Sequence, residues 1–541
     1  MNLFIFILRS SWKMVAIAII AGSLSGGSSA ALIALISNQV SQNPNSWFIS
    51  VIWGFAGLAL VAATTNFISQ AVLIRLSQNA IFQMRMRLAS QIMASELNHL
   101  EQLGTPRLLA TLTDDVQSVT SAVQVLPFLC IDLAIVLGCL TYLCLLYSSV
   151  FMLLLAFMVV AFASCLLIFN KGKKLLVVVR EEQDLLFKHF RTVTEGIKEL
   201  KLNYNRREDF INNELQTTAN NYRRNNIRSL TLFAITSSWG QFVLFFAIGL
   251  VLFALPSLLN VSAQTLAGYI LTFTYLMLPM DNLVNNIPQI TRASVALQKI
   301  ETLGLSLSEY TESITTPPAP KYTWQSLEFK GVTHRYRGEQ EESDFILGPI
   351  NLTIHPGELI FIVGGNGSGK STLAKLIVGL YIPEDGEILL DKEIIKQENR
   401  EWYRQYFSAI FADFYLFDRF LGLTNPNLDT QAQAYLKELQ LDRKVKIENG
   451  KLSTTALSQG QRKRLSLLTA YLEDRPIYLF DEWAADQDPV FKELFYTKLI
   501  QELRNKGKTV LVISHDDRYF SLADRIVKLD YGKIEYDSSQ T

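Results

Sequence analysis

The sequence predicts two fold classes in one chain: a membrane all-α part of six transmembrane helices with long cytoplasmic helical extensions, followed by an α/β domain. Three observations lead there. At 541 residues the chain is too long for one domain. Six apolar runs, each near the ~20 residues that cross a bilayer, lie before residue 300. Beyond residue 324, short apolar strand patterns alternate with helical ones, the rhythm of a sheet covered by helices. Composition agrees: charged residues are 18% of the chain, against ~25% in soluble proteins. Lys plus Arg equals Asp plus Glu at 50 each, so no basic excess argues for nucleic acid as a partner.

The apolar runs fall at about 14–37, 47–74, 126–147, 149–170, 231–254 and 264–286. Arg9 and Lys13 precede the first, as in a signal peptide, but the run is too long and five more follow, so it reads as uncleaved. Cys130, Cys139, Cys144 and Cys165 all lie inside apolar runs and read as small buried hydrophobes rather than a disulfide frame or a metal site. Loop charges alternate without a break. Asn38–Ser46, Tyr147–Ser149 and Pro256–Ser262 carry no Lys or Arg, whereas the connection 75–125 carries Arg75, Arg85, Arg87 and Arg107 and 171–230 is rich in both Lys and Arg. By the positive-inside rule, the N- and C-termini are then cytoplasmic. Each cytoplasmic connection has helical periodicity, broken at Leu103-Gly104-Thr105-Pro106 and at Leu202–Asp209. These breaks read as tips where helices reverse, either docking on a cytoplasmic partner or standing as ordinary exposed turns.

Polar residues within the spans sit towards the cytoplasmic side: Asn66 and Gln70 in the second, Asp132 in the third, Gln241 in the fifth, and Asp281, Asn282, Asn285 and Asn286 at the end of the sixth. Two readings stand. Asn66, Gln70, Asp132, Gln241 and Asp281 line a polar substrate cavity open to the cytoplasm, or they make inter-helix hydrogen bonds and headgroup-level anchors.

Thr315-Thr316-Pro317-Pro318-Ala319-Pro320 is a stiff spacer, dividing the chain into a membrane domain (1–305), a linker (306–323) and a cytoplasmic domain (324–541). In the latter, the apolar run Leu359–Val363 leads into Gly364-Gly365-Asn366-Gly367-Ser368-Gly369-Lys370-Ser371-Thr372, and a helical pattern follows from Leu373. Strand, glycine loop, Lys-Ser, helix is the phosphate-binding P-loop in its required context, placing this domain in the P-loop NTPase class. Gly364, Gly367 and Gly369 let backbone N–H groups of the loop turn towards phosphate oxygens. Lys370 is expected to reach the β- and γ-phosphates of ATP, and Ser371 to bind Mg²⁺. Pro476–Glu482 is a buried strand ending in two carboxylates. Asp481 at its edge is placed to meet the Mg²⁺, and Glu482 to activate the attacking water. His515 follows a further strand, Val510–Ser514, beside the γ-phosphate. Tyr336, ahead of the P-loop, either stacks on adenine or is a strand aromatic packed in the core.

Leu457-Ser458-Gln459-Gly460-Gln461 completes the set. The chain resembles an ATP-binding cassette (ABC) transporter, an exporter-type half-transporter, and this segment matches the family's signature motif with Gln459 in place of the usual Gly. The resemblance covers the whole chain. It implies an ATP hydrolase coupled to transport. It also implies a homodimer, in which Ser458, Gln459, Gly460 and Gln461 of one copy close over ATP held by the P-loop of the other. It further implies adenine stacking by Tyr336, a D-loop at Ala485–Asp488, a switch role for His515, and coupling helices near Gly104-Thr105 and Tyr204-Asn205. One departure stands out: the family's Q-loop glutamine aligns with Ala412, and Asp413 is the candidate substitute. The segments Phe407–Phe414 and Leu457–Leu465, with the short helical part between them, resemble the cyclic peptide exporter branch. That branch implies ATP-driven export of a small cyclic or modified peptide, or a peptide siderophore precursor, across the bacterial plasma (inner) membrane by alternating access, with membrane lipids as surroundings. A lipid or drug flippase on the same scaffold, an importer with an exporter-type fold, and a nucleotide-gated channel or regulatory subunit are the alternatives. A bacteriocin exporter that cleaves its cargo is not expected, since the sequence opens directly on a span without a Cys/His pair before it.

Overall fold

A computed structural model describes residues 12–40, 49–254, 263–303, 323–336, 345–423 and 425–539. Arg9, most of the expected loops at 38–46 and 256–262, and the 315–320 spacer lie outside the described residues. The chain divides into two compact units, Met1–Ser90 with Pro106–Gly304, and Gln91–Thr105 with Leu305–Thr541.

The first unit is helical. Its long helices are Trp12–Val40, Ile49–Ala94, Val116–Leu146, Ser148–Glu195, Gln216–Gly249 and Ala263–Thr302. At ~1.5 Å per residue, a helix of 46 or 48 residues exceeds the ~30 Å hydrocarbon layer about twofold, so it must project beyond it. Among the described residues five helical stretches are long and apolar enough to cross a membrane: Ile20–Ser37, Val51–Ala94, Arg107–Leu146, Val150–Glu195 and Tyr204–Ala254. The expected span at 264–286 lies in Ala263–Thr302, whose mean hydropathy is lowered by Asp281, Asn282, Asn285 and Asn286 and which carries Pro279 and Pro288.

Packing in this unit is of two kinds. Towards its charged end, Leu76, Met84, Val119, Val123, Ala293 and Leu297 form one apolar cluster. Elsewhere Cys139, Leu143, Leu154, Leu244, Tyr269 and Phe273 form another, where the Tyr269 hydroxyl donates to the carbonyls of Leu143 and Tyr147 at 3.0 Å. Gly26 marks a close helix crossing: a Cβ there would stand 2.6 Å from the Ala134 carbonyl carbon. Large apolar side chains such as Trp53, Phe67 and Phe253 point outwards, each more than 70% exposed, as lipid-facing residues do.

The second unit contains twelve strands among its described residues: β1 Leu327–Tyr336, β2 Phe345–Ile354, β3 Leu359–Gly364, β4 Asp385–Leu390, β5 Glu393–Ile394, β6 Phe407–Ile410, β7 Ile447–Glu448, β8 Lys451–Leu452, β9 Ile477–Asp481, β10 Thr509–Ile513, β11 Arg525–Asp530 and β12 Lys533–Ser539. One sheet has the order β12-β11-β3-β10-β9-β6, parallel except for β12. A second, antiparallel sheet has the order β2-β1-β4-β5. β9 and β10 are buried along their whole length, which explains why they read as continuous apolar runs rather than alternating ones. Ile360, Ile362, Leu373 and Ile377 pack the P-loop strand and helix against the β1–β2 sheet, and Phe361, Phe480, Leu465 and Trp483 fill the other face.

The break at Leu103–Pro106 is real: Gly104, at φ 77°, ends the helix Leu97–Leu103. That helix belongs to the second unit. Glu101 accepts a hydrogen bond from Lys375 Nζ at 2.7 Å and another from the Tyr381 hydroxyl. At the other break, Asn203 caps Tyr204–Asp209 by accepting from the Arg206 N–H at 3.1 Å.

Candidate functional site

β3, β9 and β10 all run in one direction, so their C-terminal ends lie on one edge of the sheet. Ligands bind along that edge in open α/β folds. β3 delivers the loop Gly364–Gly369. Gly364, Gly367 and Gly369 have φ of 152°, 77° and 100°, a region in which a side chain is strained. Gly369 heads the helix Lys370–Ile377, so the loop N–H groups and the helix N-terminus converge. A Cβ on Gly369 would stand 2.8 Å from Leu347 Cδ1. Lys370 is buried, and its ammonium donates to the carbonyls of Gly364 and Gly365 at 3.1 and 2.8 Å. Burial pushes the Lys370 pKa down, and the carboxylates of Glu482 and Asp481 oppose that shift. Asn366, Ser371 and Thr372 belong to the same loop and first helical turn, and Ser368 is buried with its hydroxyl unpartnered.

β9 ends at Asp481, which is 2% exposed. Burial pushes its pKa up, a Ser371 hydrogen bond to the carboxylate opposes this, and Glu482 adds to the rise. One carboxylate oxygen, Oδ1, is buried without a partner. An orphaned carboxylate oxygen next to a serine hydroxyl is a donor set suited to a hard divalent cation such as Mg²⁺. Glu482 follows in the left-handed region, at φ 49° and ψ 32°. Its Oε1 lies 3.1 Å from His515 Nε2, both side chains being partly open to solvent. The pairing is fixed by the sheet: Asp481 is opposite Ile513, so the residues after both strands leave at the same level.

Ser458 is the N-cap of Gln459–Glu473, and Gln461 returns the contact: the Gln461 N–H lies 3.5 Å from Ser458 Oγ, and the Ser458 N–H 3.4 Å from Gln461 Oε1. Two of the signature residues therefore form a capping box. Gln459 Nε2 donates to Asp486 Oδ2 at 3.2 Å, and Gly460 accepts from Gln487 Nε2 at 3.0 Å. Ala412 and Asp413 line a cavity of about 320 Å³ together with Phe414, Leu457, Gln459 and Arg462. The Asp413 charge also acts on Asp481, raising its pKa. Tyr336 ends β1, 44% exposed.

In the first unit the contacts of the five polar residues fall into three groups. Gln241 and Asp281 share one of about 140 Å³ whose other walls include Met158, Phe169, Leu244 and Met280. Asp281 also accepts from the Ser237 hydroxyl at 2.5 Å. Asn66 and Gln70 bond to each other at 3.1 Å, one helical turn apart. Asp132 is buried and interacts with Asn282.

Sequence reasoning missed several residues around the site. Lys463 is 2% exposed although lysine is rarely buried, and Glu101, Lys375 and Tyr381 come together from positions far apart in the chain. The capping box was open to view, since Ser-x-x-Gln before an apolar helix is its signature.

The chain matches the ABC transporter family over residues 347–485 and the ABC transporter transmembrane region over residues 11–280. It belongs to the ABC transporter family and is an ATP-binding, ATP-hydrolysing membrane transport protein. It is 39% identical over 530 residues to the ATP-binding protein SyrD of Pseudomonas syringae pv. syringae, a match covering 96% of this chain and 93% of that protein. It is 26% identical over 505 residues to the ATP-dependent lipid A-core flippase of Haemophilus influenzae (strain 86-028NP), covering 88% and 83% respectively. A bacterial Atm1-family ABC exporter with ATP bound matches with a TM-score of 0.76 at 17% identity, over 98% of this chain and 95% of that one, which shows an exporter-type fold.

Proposed function

We propose that this chain is one half of a homodimeric exporter that spends ATP to move a small cyclic or modified peptide, or a peptide siderophore precursor, out across the bacterial plasma membrane. The observation that carries the catalytic reading is the grouping of Lys370, Ser371, Asp481, Glu482 and His515 on one sheet edge. In it Lys370 holds the β- and γ-phosphates, and Ser371 and Asp481 hold Mg²⁺. Glu482, oriented by His515, takes the proton of the attacking water. Tyr336 stacks on adenine, and Asp413 supplies the polar group that Ala412 lacks. Two copies are needed because the chain has one P-loop and one signature segment, Ser458–Gln461, which serves the ATP of the partner. The apolar runs support six spans, the Thr315–Pro320 spacer a linker near 306–323, and the loop charges cytoplasmic termini.

The peptide reading draws support from the match to SyrD over nearly the whole chain and from the segments Phe407–Phe414 and Leu457–Leu465. Two observations favour the flippase reading: the cavity holding Gln241 and Asp281 is lined mostly by apolar side chains, and lipid A-core flippases are among the relatives. ATPase activity in lipid discs against a panel of cyclic peptides, lipids and dyes separates the two. Stimulation by cyclic peptides and not by lipids is expected, and the reverse pattern overturns the peptide assignment. For the catalytic reading, Glu482→Gln is expected to bind ATP yet lose about 10²–10⁴-fold in turnover. Near-wild-type hydrolysis in that variant removes Glu482 from the mechanism.

A further inference from the structure

Glu482 is the one non-glycine residue of the hydrolysis site whose backbone is in the left-handed region, at φ 49°. A non-glycine residue there is strained and persists only where its surroundings over-determine it. Four contacts do so. The Glu482 N–H donates to the Ile513 carbonyl at 3.1 Å, His515 meets its carboxylate, and its carbonyl accepts from the Ala485 N–H at 3.2 Å and from Lys463 Nζ at 2.9 Å. The last is unusual in kind: a lysine 2% exposed, with its ammonium also 2.7 Å from Asp486 Oδ2. Its own carbonyl accepts from the Trp483 indole at 2.8 Å, so it grips the residue after Glu482 as well. Asp486 in turn accepts from Gln459 of the signature segment.

We propose that Lys463 is the positioning residue for Glu482. It clamps the Glu482 carbonyl in the left-handed turn that aims the carboxylate at His515, and through Asp486 it ties that turn to the signature segment. This rests on the reading of Glu482 as the catalytic base. A buried ammonium is costly unless it is fully satisfied, and this one has a carbonyl and a carboxylate as acceptors. Without the clamp, Glu482 relaxes towards ordinary backbone angles and its carboxylate leaves its position. ATP binding, which depends on Lys370 and the loop, is untouched. Where the signature segment completes the partner's ATP site, one lysine couples the base of one site to the ligand-binding segment of the other.

The test compares Lys463→Met, Lys463→Arg, Asp486→Asn and Glu482→Gln in the full chain in lipid discs, measuring kcat, KM for ATP, binding of a fluorescent ATP analogue, and Tm. Lys463→Met is expected to lower kcat on the order of ten- to a hundredfold, with KM and analogue binding within about twofold. Lys463→Arg, which keeps a donor and the charge, is expected to recover part of that loss. Asp486→Asn, which keeps the Lys463–carbonyl bond, is expected to lose only severalfold. Wild-type turnover in Lys463→Met alongside an inactive Glu482→Gln overturns the proposal and leaves the base assignment intact, whereas an active Glu482→Gln overturns the base assignment itself. Loss of analogue binding and turnover together in Lys463→Met makes the lysine a packing residue and also overturns the proposal. If Lys463→Met does not fold, Lys463→Gln, which is shorter and uncharged but keeps polar atoms for Asp486, decides: wild-type kcat there refutes the clamp.

Discussion

Replacing Glu101 by Ala tests how firmly the segment Gln91–Thr105 is held on the nucleotide-binding unit. Two hydrogen bonds disappear, from Lys375 Nζ at 2.7 Å and from the Tyr381 hydroxyl. Tyr381 is 2% exposed, and its remaining polar neighbour, Lys375 at 3.3 Å, can only donate to it. Its hydroxyl hydrogen is left without an acceptor, which costs ~1–3 kcal/mol. The lysine is 20% and the glutamate 31% exposed as side chains, so water screens the ion pair and its loss costs ~1 kcal/mol or less. Together these come to about 1–4 kcal/mol, or about fivefold to several hundredfold in the equilibrium between docked and undocked segment. Hydrogen exchange on peptides covering 91–105, in the full chain in lipid discs, reads that equilibrium directly. Glu101→Ala should speed exchange there by about that factor. Tyr381→Phe should have a smaller effect, and in the Glu101→Ala background it should add little or restore protection, because the orphaned hydroxyl is then gone. Exchange within threefold of wild type in Glu101→Ala would refute the reasoning.

Lys370→Ala should abolish tight ATP-analogue binding by removing the ammonium that meets the phosphates, and retained affinity argues against the loop assignment. Asp481→Asn should do two opposite things. Burial raises the Asp481 pKa, so its charge destabilises the fold once pH exceeds the unfolded carboxylate value of ~3.9. The uncharged amide should therefore raise the Tm of nucleotide-free protein at pH 7 while eliminating turnover, and a lowered Tm contradicts this. Asp516 behaves the other way. Hydrogen bonds from Arg518 at 2.8 and 2.9 Å hold its pKa well below the usual range, aided by Lys492 at 2.7 Å. Its stabilisation is present above ~3.9 and is lost as pH falls through the folded value, so wild type and Asp516→Asn should converge in Tm below about pH 4. A Tm difference that stays constant down to pH 2 contradicts the assignment.

What could be read from the chain was what spacing encodes. The P-loop and Asp481-Glu482 are contiguous, and each sits between elements whose apolar patterns mark them, so Gly364–Thr372 and the β9 edge were legible residue by residue. The break at Gly104 was visible because a glycine and a proline interrupt a helical pattern. Lys463 was not legible: a lysine in an amphipathic helix reads as solvent-facing, and only the fold brings it beneath Glu482 and Asp486. Glu101 and Tyr381 are 280 positions apart, beyond any local pattern. The polar residues of the spans were legible as a set, but not in their grouping. Asn66 and Gln70 satisfy each other along one helix, whereas Gln241 and Asp281 come from different helices and share a cavity.

The pairing of β9 with β10 has a further consequence for how this chain tolerates change. Asp481 and Ile513 are opposite one another, yet the chain between them runs through four helical segments, Trp483–Asp486, Pro489–Leu494, Phe495–Leu499 and Ile500–Asn505. Residues can be gained or lost in that excursion without moving Glu482 relative to His515, because their separation is set by the ladder. A single residue inserted within either strand is different. It turns every later side chain of that strand to the opposite face and shifts one partner about 3.3 Å along the other. Length variation among working versions of this protein should therefore collect at exposed turns such as Asn505–Gly507 and be absent from Ile477–Asp481 and Thr509–Ile513.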